Sequence, residues 1–408
     1  MNCRFCNSNL TNVFVDLGYA PPSNSFLSKE EMKHGETYYP LNVYVCDECK
    51  LVQLDEFKKA EDIFSEEYVY FSSMSKSWLE HSKNYTNKMM NDFGIHQDSL
   101  VVEIASNDGY LLQFFKEKNV NVLGIEPTES TAKVSREKGI ETISKFFGDR
   151  LAKELVGENK KADLLLGNNV LAHVPDVNDF IKGIKTLLKS DGIVTMEFPH
   201  LLQMVMHNQF DTIYHEHFSY LSFTTVFEMF INQGLELFHV EELNTHGGSI
   251  RIFGKHIEDS SKKIRESIPQ MFRKEEEAGI KTKEYYKGFQ SRIEKVKFNL
   301  IEFLLNAKRD GKKVAAYGAA AKGNTLLNYS GIKADMIDFV VDAAPIKQNK
   351  FLPGSHIPVV TESFLIEQKP DYIIIFPWNI KDEIMSQLKY IKEWGGEFVI
   401  FIPYIQKY

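Results

Sequence analysis

Residues 100–126 read LVVEIASNDGYLLQFFKEKNVNVLGIE. Val101, Val102 and Ile104 form a short apolar run rich in β-branched side chains, which predicts a buried strand. Ala105, Ser106, Asn107, Asp108 and Gly109 are small or turn-forming and end it. Leu111, Leu112, Phe114 and Phe115 follow at helical spacing. Val122, Leu123, Gly124 and Ile125 predict a second strand, closed by Glu126. The stretch is one strand–turn–helix–strand unit, with its small-residue turn at a helix N-terminus.

Such a turn lets a ligand approach backbone N–H groups, and an acid about twenty residues on can hold a ribose diol. Nicotinamide enzymes and S-adenosylmethionine (SAM) methyltransferases share this layout. The residues favour SAM. A pyrophosphate binder needs G-x-G-x-x-G to bring backbone against two phosphates, and here only Gly109, Ala105 and Ser106 serve. Glu103, inside the first strand, would repel a pyrophosphate but suits the ammonium of a methionine moiety. The cofactor candidates from this unit are Glu103, Ala105, Asn107, Asp108, Gly109 and Glu126.

The chain has 408 residues, enough for two or three domains. Its 43% apolar and 25% charged content is that of a soluble globular protein. A net charge of −8 argues against a dedicated nucleic-acid binder. No apolar run approaches the roughly 20 residues of a membrane span. Arg4, Asn7 and Asn9 interrupt any signal-peptide core. A cytoplasmic, reducing location is expected, which makes the cysteines metal ligands rather than disulfides. All four fall in two C-x-x-C knuckles, Cys3/Cys6 and Cys46/Cys49. Two such pairs complete a closed tetrahedral thiolate site, so the expected zinc is structural. The intervening residues predict a small β-rich cap with a loop at 21–26.

Beyond the cap, an aromatic patch at 66–73 precedes a helix over 76–93 with Trp78, Leu79, Tyr85, Met89 and Met90 on its apolar face. Past Glu126 the β/α alternation continues. A helix is predicted over 130–138, a short strand over 140–143, and a helix opened by residues 146–149, where Phe147 would meet an adenine. The buried strand at 162–169 ends in Asn168 and Asn169, on the edge where open α/β sheets place ligands. His173, a helix over 177–189, a turn at 190–192 and a strand over 193–199 carrying Glu197 follow.

Residues 211–220, DTIYHEHFSY, set two histidines around a carboxylate with tyrosines at either end. His215 and His217 suit metal ligation, a structural role, or general-base chemistry with a carboxylate and a phenol beside the base; the last is favoured. In an extended segment Tyr214 and Glu216 would share one face and the histidines the other, whereas a local turn brings all four to one pocket. Farther on, His246 and Arg251 could touch an anionic substrate, the alternative for Arg251 being a solvated edge-strand position. A charged helical region spans about 260–309, with residues 274–277 as a solvated face and Phe289, Ile293, Val296, Leu300, Phe303 and Leu304 as the apolar stripe of a long helix. Residues 313–325 begin a second α/β unit with Lys322 at its small-residue turn, a place suited to a diphosphate though not a Walker A. Strands over 337–342, 372–376 and 398–401 continue its sheet.

Taken together, Cys3/Cys6, Cys46/Cys49, the turn at 103–109, the Asn169–His173 segment, the Tyr214–His217 run and the Gly318–Gly323 turn resemble the zinc-containing SAM-dependent C-methyltransferases that act on nucleotide-linked 4-keto deoxysugars. The resemblance spans essentially the whole chain. One departure is Ala105, where methyltransferase turns usually carry Gly. The resemblance implies three parts: a zinc-binding cap (1–75), a class I SAM-methyltransferase Rossmann-like core (76–255) and a C-terminal Rossmann-like α/β domain (256–408). It implies His217 as the base that removes a proton beside the ketone, with Tyr214, Glu216 and His215 around it and a tyrosine before the core, Tyr70 here, also in the site. It implies SAM contacts from the cradle with Phe147, Asn168, Asn169 and His173. Substrate contacts fall to Tyr70, Glu197, His246, Arg251, Tyr317 and Lys322. The expected partner is a nucleotide-diphosphate sugar, with no nucleic acid or membrane. The oligomeric state is left open, a monomer included. The rival activities are sugar O-methylation and keto-sugar epimerisation or reduction without methyl transfer.

Overall fold

The computed structural model describes residues 1–57 and 71–408. The assignment of Tyr70, with its neighbour Tyr68, lies outside them. β1 (Asn12–Ala20) and β2 (Tyr39–Val45) place alternate side chains on a core, as half-buried strands do, and pair antiparallel. β3 (Val52–Leu54) joins β2 with Val43 opposite Leu54, so the cysteine unit is the small β-rich cap expected.

The helix Lys76–Phe93 leads into the central sheet; Ser75 caps it and Gly94, in the left-handed region at φ 68°, ends it. The sheet's strands are β4 (Leu100–Ile104), β5 (Asn121–Ile125), β6 (Thr142–Ile143), β7 (Ala162–Asn168), β8 (Leu188–Pro199), β10 (Leu235–Leu243) and β11 (Ser249–His256). Their order is β10-β11-β8-β7-β4-β5-β6. From β4 the chain runs outward through β5 and β6, then returns to the other side as β7. The carboxyl ends of β4 and β7 therefore flank a topological switch point, where open α/β sheets take ligands. β9 (Ser219–Tyr220) leaves this sheet and pairs with β3 of the cap, Gln53 opposite Ser219.

Three sequence expectations need correction. The helix expected to reach 189 stops at Leu187, and residues 190–192 are no turn between elements but lie within β8. Ala162 pairs with Leu188 and Leu164 with Ile193, so the extra residues bulge out of register without ending the strand. β11 lies between β10 and β8, so Arg251 is not on an edge. Glu275 is no solvated helix residue: it is fully buried. Its carboxylate accepts the amides of Phe223 and Thr224 at 2.6 and 2.8 Å and faces His200 Nε2 at 2.6 Å. The helical region itself breaks into Ser267–Ala278, Lys283–Tyr286 and Phe289–Arg309; the last buries the expected stripe.

A third sheet holds β12 (Val314–Tyr317), β13 (Val340–Val341), β14 (Val359–Val360), β15 (Tyr372–Ile375), β16 (Glu397–Ile400) and β17 (Gln406–Lys407) in the order β14-β13-β12-β15-β16-β17. All pairs are parallel except β16 with β17. Its switch point is at β12 and β15, which lead into Gly318 and Phe376. The cap and this lobe share one hydrophobic cluster, in which Phe14 stacks on Phe289 with ring centres 4.8 Å apart. Among the described residues no helix is long and apolar enough to cross a membrane.

Candidate active site

The two knuckles converge. The four cysteine sulfurs lie within 4.8 Å of one another, with Cys3–Cys49 and Cys6–Cys46 each at 3.5 Å and no disulfide. Tetrahedral Zn–S bonds of about 2.3 Å place sulfurs about 3.8 Å apart, so the donor set fits a closed, structural zinc site.

At the central switch point the turn after β4 holds Ala105, Asn107 and Gly109 at φ 55°, 50° and 74°. Ala105 is therefore strained where glycine would not be, which gives the departure at this position a physical cost. Gly109 is also required by space: a Cβ there would meet Ile140 Cδ1 at 2.6 Å. Glu103 is completely buried, and its carboxylate lies near the Tyr110 hydroxyl and the Leu112 amide without a well-aligned hydrogen bond to either. Burial, then the carboxyls of Asp108 and Glu126, push its pKa well above the usual range. Glu126, at the end of β5, is buried and accepts the Asn107 amide at 2.9 Å. A fully buried acid with no cation beside it, and a second acid across the turn, is what a bound amine and a ribose would satisfy, so the cradle fits SAM. Phe147 is half-buried and packs edge-on against Phe180 at 5.5 Å.

A chain of rings leads from the cradle to the histidines. Tyr110 accepts from Asn168 Nδ2 at 3.4 Å and stacks on Trp78 at 5.9 Å. Trp78 meets His246 at 5.3 Å, and His246 Nε2 accepts from Asn169 Nδ2 at 3.0 Å. Trp78 reads in sequence as plain helix core and is instead a wall of this cleft.

The Tyr214–His217 run is a turn, closed by the His217 amide donating to the Tyr214 carbonyl at 2.9 Å. It does not bring all four side chains to one pocket. His217 lies against Tyr214, ring centres 4.0 Å apart, and against His173 at 4.7 Å. Glu216 accepts from Asn24 Nδ2 of the cap loop at 2.6 Å. His215 turns the other way, donating from Nε2 to the Pro40 carbonyl at 3.2 Å beside Tyr39. His217 Nδ1 faces the Thr212 carbonyl at 2.8 Å. A carbonyl only accepts, so Nδ1 carries the proton and Nε2 the lone pair. Burial, then His173, lower the His217 pKa well below 6.5 and keep it neutral. Burial takes His173 to about 4 against the pull of the Glu216 carbonyl; burial and Lys322 take His246 to about 4.

Glu197 and Arg251 pair with each other at 2.6 Å across β8 and β11. Glu197 also holds His81 at 2.8 Å and Thr245 Oγ1 at 2.9 Å. Burial opposes its charge, but His81 and Arg251 hold its carboxyl down at about 2. This network is the buried floor below His246.

The third sheet contributes Lys322 and Trp378 from its own switch point. Lys322 Nζ donates to Asn379 Oδ1 at 2.9 Å and lies 4.4 Å over the Trp378 ring. Trp378 Nε1 donates to Asp211 Oδ2 at 2.7 Å, and a Cβ on Gly247 would strike its ring at 2.3 Å. Burial pushes the Asp211 carboxyl up to about 6 against the pull of Lys322. Tyr317 is not brought here: it is buried in the lobe's own core, with Gln387 Nε2 donating to its hydroxyl at 3.0 Å. Asp211, Trp378 and His81 belong to the site but were missed; only Asp211 stood in a stretch whose composition drew attention.

Known proteins resemble the chain in the same three parts. Sequence models match for a zinc-binding domain at residues 3–64, a methyltransferase domain at 84–240 and a C-methyltransferase C-terminal domain at 244–403. The C-methyltransferase NovU of Streptomyces niveus is 33% identical over 401 residues, covering 98% of this chain and 95% of that protein. A ubiquinone biosynthesis O-methyltransferase of Bartonella quintana (strain Toulouse) is 25% identical over 95 residues, 23% of this chain and 38% of that protein. A magnesium protoporphyrin IX methyltransferase structure from Synechocystis PCC 6803, with bound SAM, aligns at TM-score 0.33 and 13% identity, covering 43% of this chain and 78% of the other.

Proposed function

Because the chain belongs to the zinc-containing, SAM-dependent C-methyltransferase family, we propose that it methylates a nucleotide-linked keto-deoxysugar at the carbon next to the ketone. The observation that carries this reading is the tautomer of His217, whose Nε2 lone pair is fixed by the Nδ1–Thr212 contact. A proton beside a ketone is acidic enough for a positioned imidazole to remove. His217 Nε2 takes that proton and leaves an enolate, whose carbon forms the new bond to the methyl group. SAM supplies the methyl on a sulfonium and leaves as S-adenosylhomocysteine. Glu103 holds the methionine ammonium and Glu126 the ribose, which fixes the direction of approach. Tyr214, its ring 4.0 Å from that of His217, and Lys322, whose charge acts on both His217 and His246, would stabilise developing negative charge on the ketone oxygen. Lys322 also supports a diphosphate role for the C-terminal lobe, with the sugar between that lobe and the cap loop. The proton taken by His217 passes to solvent once the products leave.

The test is mass spectrometry of the protein with SAM and a panel of nucleotide 4-keto-6-deoxysugars in deuterated water. Expected are one added methyl, S-adenosylhomocysteine, and loss of a ring C–H. Methyl gain with all ring protons kept would move the assignment to an O-methyltransferase. Deuterium uptake without S-adenosylhomocysteine would make it an epimerase. His217→Asn is expected to lower turnover by about 10²- to 10⁴-fold with SAM binding kept; unchanged turnover removes His217 as the base.

A further inference from the structure

Arg4 sits inside the first knuckle, between Cys3 and Cys6, but its side chain leaves the metal site. Nη1 donates to the Pro175 carbonyl at 3.0 Å and Nη2 to the Leu54 carbonyl at 2.6 Å. The guanidinium carbon lies 5.3 Å over the Phe218 ring. Pro175 comes two residues after His173, and Phe218 directly follows His217. The Leu54 amide in turn donates to the Phe218 carbonyl at 3.0 Å. One planar fork thus touches the backbone of the His173 loop, the ring next to His217, and the strand that holds the backbone of that ring.

Arg4 is itself anchored to the zinc ligands. Its amide donates to Gln53 Oε1 at 2.9 Å, and Gln53 Nε2 donates to Cys3 Sγ at 3.1 Å. From the other side, Asn178 Nδ2 donates to the carbonyls of Arg4 and Phe5 at 3.3 and 2.9 Å. A rigid, permanently charged fork that spans two carbonyls and an aromatic face fixes geometry in a way a flexible lysine cannot.

We propose that Arg4 is a positioning residue: it carries the rigidity of the zinc knuckle to the His173–His217 pair and sets the separation and orientation of the two rings. The zinc unit then has a second task beside folding the cap, which is to align the base. The catalytic consequence rests on the reading of His217 as the base; the geometric claim does not.

The test uses the full-length, zinc-loaded protein as Arg4→Met, which keeps the apolar stem and removes the donors, and as Arg4→Lys. Zinc content, SAM affinity by calorimetry, and ¹⁵N spectra of the histidine rings are compared with the parent. In Arg4→Met the zinc content is expected to stay at one per chain and SAM affinity within about twofold. The ring signals of His217 and His173 are expected to shift and broaden, while those of His239 and His356 stay in place. On a turned-over keto-sugar, kcat is expected to fall by about tenfold to a hundredfold with KM nearly unchanged. Partial recovery is expected in Arg4→Lys or with guanidinium in solution. Unchanged His217 and His173 signals in Arg4→Met overturn the proposal, as does a change that appears only with loss of zinc. If Arg4→Met does not fold, the same spectra of Arg4→Lys decide. A parent protein that turns over no keto-sugar would sink the C-methylation reading while the spectra still decide this one.

Discussion

Glu103 shows how much one position can hold. Its place in an apolar strand, with no lysine or arginine nearby in sequence, already marked it as waiting for a cation. The structure adds that it is buried and that burial, with the nearby Asp108 and Glu126 carboxyls, holds its carboxyl well above the usual range. In the free protein it is therefore protonated at a pH where an exposed glutamate is not. An ammonium needs the carboxylate, so SAM binding must expel that proton. Below the raised pKa each unit of pH increase is expected to tighten SAM binding about tenfold, flattening above it. Calorimetry in buffers of different ionisation enthalpy checks this, below the roughly 7.7 where the ligand's own amine titrates. Glu103→Gln is expected to weaken SAM by about 2 kcal/mol and to remove the pH slope. A slope that survives the substitution assigns the proton elsewhere. By contrast, the Tyr214–His217 run named the candidates for the base, but not the tautomer of His217, the proposed one. That depends on the Thr212 carbonyl, which only the turn brings within 2.8 Å of Nδ1.

Elements were legible where a periodic pattern stands alone. The helices Lys76–Phe93 and Phe289–Arg309 both form where their spacing requires, the first burying Tyr85 and Met89 and the second Phe289, Ile293, Val296, Leu300 and Leu304. Lys274, Glu276 and Glu277 are exposed as a charged run reads, but Glu275 is buried, and nothing local reveals that it caps another helix. Its two amide acceptances lie at Phe223 and Thr224, the start of the helix Phe223–Asn232. Glu275→Ala leaves those amides and His200 without their partner. The expected loss is about 3 kcal/mol of unfolding free energy by urea titration, as for a broken buried pair. Within about 0.5 kcal/mol of the parent, the solvated-face reading would stand after all. Glu276→Ala, on the same helix, is the control. Residues 190–192 failed for a similar reason. Ser-Asp-Gly is turn chemistry, yet parallel pairing with β7 on both sides absorbs it as a bulge.

The molecule as a whole is tied together at the Tyr214–His217 turn. β9 follows that turn and is a strand of the cap sheet, and Thr325 Oγ1 of the C-terminal lobe donates to the Ile213 carbonyl just before it, at 2.8 Å. Chelation of zinc is therefore expected to abolish methyl transfer while SAM, held on a separate sheet, still binds. Activity and calorimetry on the chelated protein separate the two, and joint loss would mean that the cap is part of the SAM-binding core. The sequence by itself determined the zinc ligands, the SAM cradle, the β/α succession and the family, because each is a local pattern of residue types and spacings. Tertiary structure alone decided that His215 faces the cap while His217 faces His173, that Arg251 pairs with Glu197, and that Trp378 and Lys322 meet Asp211. These contacts join residues far apart in the sequence, through strand pairing for Arg251 and Glu197 and through the packing of different parts of the molecule for the others, and no local spacing encodes either.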